Sequence, residues 1–308
     1  MSQQYMRVIQ LLVGTESKMI DLSNLHIRFL AKLWTKQTPA NCQIRVWNVS
    51  DNTRSYIEKE STRFTLAAGY KAEGPQTIFE GTVVQVRHGR ESPVDTYLDI
   101  TGASGDEFNN WAIVSLPVAA GSTFKDRYDA ITRELQKYGI TPGHTDTLPD
   151  EKLPRGKTMF GMARDQLRDI AAATDTEWSV QGSELLLLST ENPLPGVVIE
   201  LNSATGLVGF PEQTELGIQA KCLLNPKIKP YVQVKINNQD VQQVQLNLNY
   251  RVSPDQVILP SIADDGLYRV LSVEHSGDTR GTEWYSDLIC MALGQAASRG
   301  LVARGYAG

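Results

Sequence analysis

Leu25-His26-Ile27-Arg28-Phe29-Leu30-Ala31-Lys32-Leu33 decides the fold class. Leu25, Ile27, Phe29, Ala31 and Leu33 alternate with His26, Arg28 and Lys32. A period of two gives a strand one buried and one wet face. The same period returns where Cys42, Ile44 and Val46 alternate with Gln43, Arg45 and Trp47. It returns again where Val94, Thr96, Leu98 and Ile100 alternate with Asp95, Tyr97 and Asp99. Further strands are predicted over 64–68 and 77–88, punctuated by Gly69, Gly74-Pro75 and Gly89. A short helical turn follows Ser50-Asp51-Asn52, whose side chains can cap the next free amides. Residues 1–115 thus read as one antiparallel β domain with little helix.

The middle changes period. Phe124, Tyr128, Ile131 and Leu135 recur at helical spacing and stop at Gly139, while 141–154, with its three prolines, reads as a loop. Thr158–Ala173 reads as a second helix, with Phe160, Ala163, Leu167, Ile170 and Ala171 on one side. Glu177–Val180, a turn at Gln181-Gly182, and Glu184–Leu188 form a hairpin, so 116–195 is expected to be a small α/β domain of two helices and a hairpin. Alternation resumes at Ile218–Cys222, Val232–Ile236, Val244–Tyr250, Tyr268–Glu274 and Glu283–Met291, giving a second β domain over 196–292. The stretch 293–308, rich in Gly, Ala and Arg, reads as a flexible C-terminal tail. The class expected is mainly β (α+β): two antiparallel β domains around a small α/β domain.

Composition narrows the function. The chain has 308 residues, 41% hydrophobic and 21% charged, a globular mixture and not a disordered one. Lys+Arg 30 against Asp+Glu 35 gives a net charge of −5, which argues against a basic duplex-DNA binder but not against a wall that nucleic acid slides past. No apolar run approaches the roughly 20 residues of a membrane span, and the start lacks a signal-peptide pattern, so folding in a cytoplasm is expected. Cys42, Cys222 and Cys290 are scattered and lie in alternating patterns, as reduced core residues do.

Motifs of catalysis fail on their spacing. Arg155-Gly156-Lys157-Thr158 imitates the end of a phosphate-binding loop, but Glu151 stands where that loop needs its first glycine. Gly102-Ala103-Ser104-Gly105 falls one residue short of a nucleophile elbow. His26, His88, His144 and His275 are isolated, with no metal-ligand spacing, and no acid pair is singled out. No catalytic, cofactor or metal site is expected. The most unusual local feature is the strand in which Gln243, Gln245, Asn247 and Asn249 make one face wholly amide; such a face suits solvent, another chain or a water-filled channel. Asp95, Tyr97 and Asp99 give an earlier strand an acidic outward face.

The first domain carries an ordered set of motifs. Ile20-Asp21-Leu22-Ser23-Asn24-Leu25-His26-Ile27-Arg28-Phe29 is followed by Thr38-Pro39-Ala40-Asn41 and by Ile44-Arg45-Val46-Trp47-Asn48-Val49-Ser50. Leu66-Ala67-Ala68-Gly69-Tyr70 and Ile78-Phe79-Glu80-Gly81 come next. Further on stand Leu153-Pro154-Arg155-Gly156-Lys157, Phe160-Gly161 and Gly182-Ser183-Glu184-Leu185. In order and spacing these resemble the baseplate hub proteins of contractile-tailed bacteriophages, the group allied to late control protein D. The resemblance implies two tail-tube-like β barrels per chain and a homotrimeric, pseudo-hexameric ring. One side of that ring meets the hexameric tail tube and the other a trimeric central spike. Other baseplate or wedge proteins and the tape measure are further partners, and DNA passes through without specific binding. The implied place is the virion tail, after assembly in the host cytoplasm. A negative channel wall would repel DNA phosphates, so the strand of Asp95, Tyr97 and Asp99, or that of Gln243, Gln245, Asn247 and Asn249, is a candidate channel or interface face. Two other readings stay open: a tail-associated hydrolase of cell wall or polysaccharide, and a receptor- or carbohydrate-binding tail protein. The second would stack sugars on Trp34, Trp47, Trp111, Trp178 or Trp284, most of which sit in core-like patterns.

Overall fold

A computed structural model describes residues 4–214, 216–243, 262–263 and 265–293. The chain opens with β1 (Arg7–Gly14), β2 (Met19–Asp21), β3 (Ile27–Trp34), β4 (Asn41–Trp47), α1 (Asp51–Glu60), β5 (Arg63–Tyr70), β6 (Gly74–Arg90) and β7 (Thr96–Ala103). Next come α2 (Asp106–Trp111), β8 (Ile113–Val118), α3 (Phe124–Leu135), β9 (Thr141–Thr145), β10 (Lys157–Met162), α4 (Ala163–Ala173), β11 (Thr176–Gln181) and β12 (Glu184–Ser189). The last strands are β13 (Ile199–Leu201), β14 (Leu207–Thr214), β15 (Gly217–Leu223), β16 (Gln233–Ile236), β17 (Gln242–Gln243), β18 (Leu267–Asp278) and β19 (Trp284–Ala292). The protein is mainly β.

Among the described residues, fourteen strands share one sheet, in the order β17-β14-β15-β19-β18-β3-β4-β7-β6-β5-β1-β2, with β16 on β18 and β13 on β16. Hairpins join β1 to β2, β3 to β4, β5 to β6 to β7, β14 to β15 and β18 to β19, and pairings between more distant strands connect these pieces. The central one is a seam where β18 pairs antiparallel with β3 in the register Val273↔Leu33, His275↔Ala31 and Gly277↔Phe29. That seam joins the early and late β regions into one sheet over one continuous core. Phe29, Ala31, Ile44, Ile100 and Phe64 pack in the same cluster as Val273, Trp284, Leu288 and Cys290. All three cysteines are buried free thiols.

The middle segment has its own core of Phe108, Val114, Tyr128, Ile131, Met159, Leu167, Ile170 and Trp178. Helix α3 is started by a reciprocal cap of Thr123 and Asp126; a 3-10 turn over Gln136–Tyr138 continues it to Gly139, whose φ of 71° takes the left-handed turn. Two elements differ from the pattern. The predicted helix 158–173 is helical only from Ala163; ahead of it Lys157–Met162 is strand β10, paired with β8. Met159 points into the core while Phe160 points out, an alternation too short to stand against the helical stripe that follows it. The predicted loop 141–154 opens with β9, which pairs in parallel with β12 and accepts Pro142 because it is the edge of a three-stranded sheet.

Candidate functional site

The wet face of the large sheet is the surface the strand pattern builds. Register sets Asp278, Arg28, Arg45, Asp99 and Arg87 side by side across β18, β3, β4, β7 and β6. Asp99, nearly buried, takes a bidentate bond from Arg45 at 2.7 and 3.0 Å and another from Arg87 at 3.3 Å. The Arg45 guanidinium also lies 4.2 Å from the centre of the Tyr97 ring, and the bond to Asp99 raises its pKa further. His26 stacks on Trp47 at 4.0 Å and bonds Asp278 at 2.8 Å. Burial works to raise the Asp278 carboxyl, but the Arg280 and Gly281 amides and His26 outweigh it and hold it low.

A parallel row lies four residues away along the strands. Lys221 meets Asp287 at 3.2 Å on β15 and β19, and Glu274 meets Lys32 at 3.0 Å across the seam. Between the two rows, register places Tyr285, Ser276, Leu30, Gln43, Thr101 and Gln85 in line. The face therefore spans both β regions and consists of cross-strand ion pairs with uncharged, mostly polar groups between them. Each such pair adds only about 0.2–1 kcal/mol. Their joint effect is a surface whose charges are paired and largely balanced.

The acidic reading of β7 needs correction. Asp99 is neutralised by two arginines, which the one-strand pattern could not show because they stand on β4 and β6. Asp95 is turned into a local turn, held by Asn48 and Ser92, and those bonds lower its pKa. Tyr97 stands beside Asp99 on the wet face, as its spacing requires. Gln245, Asn247 and Asn249 lie outside the described residues; of the amide strand, Gln242 and Gln243 form β17, paired in parallel with Glu212 and Gln213. The predicted tail from Gly294 onward also lies outside them.

Other candidates resolve individually. His275 is buried, with Nδ1 on the Ser286 hydroxyl at 2.8 Å and Nε2 on the Ile228 carbonyl at 3.2 Å; burial drives its pKa down to about 4. Trp178 and Trp284 are core residues, whereas Trp111 is 71% exposed. Where the middle segment meets the sheet, a cleft of ≈570 Å³ is lined by Lys36, Arg164, Arg168, Glu177 and Arg269. Arg269 is buried and bonds Glu177 at 3.0 Å and the Ser189 and Asn192 carbonyls at 3.3 Å. Burial pushes the Glu177 carboxyl up to about 7 against the pull of that guanidinium. This pair, its arginine buried and its glutamate half-buried, ties β18 to β11 and was invisible in the sequence, since 92 residues separate its members. Among the described residues, no group of three or more His, Cys, Asp or Glu could hold a metal ion, and no helix is long and apolar enough to cross a membrane.

Residues 8–250 match the family model described as baseplate hub gp41. No curated protein sequence matches the chain. Among solved structures, the 43 kDa tail protein of prophage MuSo2 from Shewanella oneidensis is 8% identical, with a TM-score of 0.58 over 93% of this chain and 97% of that one. The tail protein from Neisseria meningitidis MC58 is 10% identical, with a TM-score of 0.55 over 93% and 96%. The E. coli c3393 protein is 8% identical, with a TM-score of 0.56 over 88% of this chain and 74% of its own. It is described as a component of the type VI secretion system with structural similarity to the T4 tail proteins gp27 and gp5. At these identities the likeness is one of fold.

Proposed function

The chain belongs to the baseplate hub gp41 family, and from that premise we propose that it is the ring-forming hub of a contractile phage tail. A structural role in the phage tail or baseplate follows from the family; the ring is the finer reading. Three copies close a homotrimer in which two tail-tube-like regions per chain, 1–115 and 196–292, make a pseudo-hexameric array, with 116–195 inserted between them. One side of the array seats the hexameric tail tube and the other the trimeric spike, and DNA passes through the centre. The observation that carries this reading is the family match over most of the chain. It is supported by a sheet that runs without a break through both β regions, since a rigid double unit is what a ring of three needs to imitate six. The polar sheet face bearing Tyr97 and Asp99 is proposed to line the channel or a ring contact. Its balanced ion pairs offer passing phosphates no cluster of unpaired cations to bind. The reading assigns no active site.

Light scattering on a sizing column, with negative-stain images of the same peak, tests it. A threefold particle of about 100 kDa with a central hole is expected from a 34.1 kDa chain. A strict monomer that stays monomeric when mixed with the purified tube and spike proteins overturns the ring. Turnover of peptidoglycan by the purified protein would overturn the purely structural role.

A further inference from the structure

Among the described residues, β8 and β10 form a ribbon of two strands. Their register sets Ile113 opposite Met162, Ser115 opposite Phe160 and Pro117 opposite Thr158, so these six share one side. Val114, Val118 and Met159 face the other way, into the middle core. The outer side carries no charge. Ile113 is 60% and Phe160 73% exposed, and Trp111, just ahead of the strand, is 71% exposed. Large apolar groups gathered in the open mark an interaction surface.

Hydrogen-bond parity shows which main-chain groups are free. The Ala163 amide donates to the Ala112 carbonyl at 2.8 Å, so residues 112, 114, 116 and 118 turn their main-chain groups toward β10. Ile113 and Ser115 turn theirs away. On β10 the outward carbonyl of Phe160 accepts a bond from the Gln166 side chain at 3.4 Å, and α4 covers that edge. Among the described residues nothing bonds the outward amides and carbonyls of Ile113 and Ser115. Soluble proteins blunt such an edge with charge or proline; Ile113–Val118 holds no charge, and its proline, Pro117, closes only the far end of the edge and leaves the Ile113 and Ser115 groups open.

We infer that the β8 edge takes up an extended, uncharged segment of a neighbouring tail protein, which adds as a third strand and lays alternate apolar side chains beside Ile113. The exposed area selects this occupant over a second copy of the chain. Two aromatic rings and one isoleucine offer about 400 Å², half of the roughly 800 Å² that each side of a stable dimer buries. An added strand needs less apolar area because its main chain supplies four or so hydrogen bonds. The inference rests on the hub reading for the source of the partner, and on the edge alone for its chemistry.

Amide exchange by mass spectrometry, on the free protein and on tails purified from cells, decides it. In tails, a peptide containing Ile113 and Ser115 is expected to lose exchange at these two amides by about a hundredfold relative to the free protein. Ile113→Lys, which charges the edge without touching the core, is expected to keep the melting temperature of the free protein and to lower its content in tails. Ser115→Pro, which deletes one outward donor, is expected to do the same. Chain present in tails with unchanged exchange overturns the strand addition and leaves the hub intact. Protection that rises with concentration of the free protein replaces the partner strand by a second copy and overturns the proposal. Absence of the chain from purified tails overturns the hub reading and this proposal with it.

Discussion

At the scale of single residues, burial and not sequence spacing decides what a titratable group does. His275 looked like a lone strand histidine, and the fold makes it a neutral bridge between Ser286 and Ile228. An unfolded chain protonates this ring near 6.5, the folded chain only near about 4. The unfolded state therefore binds the extra proton between those values, and stability falls as pH drops through that window by about 3 kcal/mol. His275→Gln should flatten the acid limb of a denaturation series from pH 7 to pH 4; an unchanged limb would place the acid sensitivity elsewhere. Asp99 is the other informative residue. Asp99→Asn leaves Arg45 and Arg87 facing each other across one strand and is expected to cost about 1–2 kcal/mol, measured by urea denaturation at low salt. Arg87→Gln, at a largely exposed member of the trio, should stay within about 0.5 kcal/mol.

At the scale of elements, the seam between β3 and β18 is held by close packing at one glycine. A Cβ on Gly277 would meet the Phe29 ring at 2.5 Å and Trp284 at 2.8 Å. Neither ring can retreat, because they pack edge to face at 5.6 Å and both are buried. Gly277→Val is therefore expected to destabilise the protein by about 1–3 kcal/mol, read from thermal unfolding. The elements also show where periodicity misleads. The stripe through Ala163, Leu167, Ile170 and Ala171 is a true helix face, and Phe160 fits the same spacing by chance. What decided its strand was a partner, β8, more than 40 residues away.

For the whole molecule, the seam has a consequence that two separate β domains would not have. The early region cut from the late one exposes β3 from Ile27 to Trp34 as an open edge beside a core stripped of Val273, Trp284 and Leu288. A fragment of residues 1–195 is expected to aggregate or remain unfolded, as circular dichroism and sizing would show; a well-folded monomeric fragment would mean that the early β region stands alone. The junction to the middle segment is smaller and more polar: Gln181 bonds the Trp34 carbonyl, Ser104 the Gly182 carbonyl, and Arg269 pairs with Glu177. By itself the sequence determined the mainly β class, the wet and dry faces of β3, β4 and β7, the capped start of α1, the helical stripe of α3, and the 177–188 hairpin, because alternation, caps and tight turns act over a few residues. The ordered motifs also pointed to the family. Only the tertiary structure decided the β3–β18 seam, the arginine clamp on Asp99, the Arg269–Glu177 tie and the open edge of β8. Each of these depends on which strand lies beside which, and strand pairing between distant segments is set by the packing of the whole core, which no local pattern encodes.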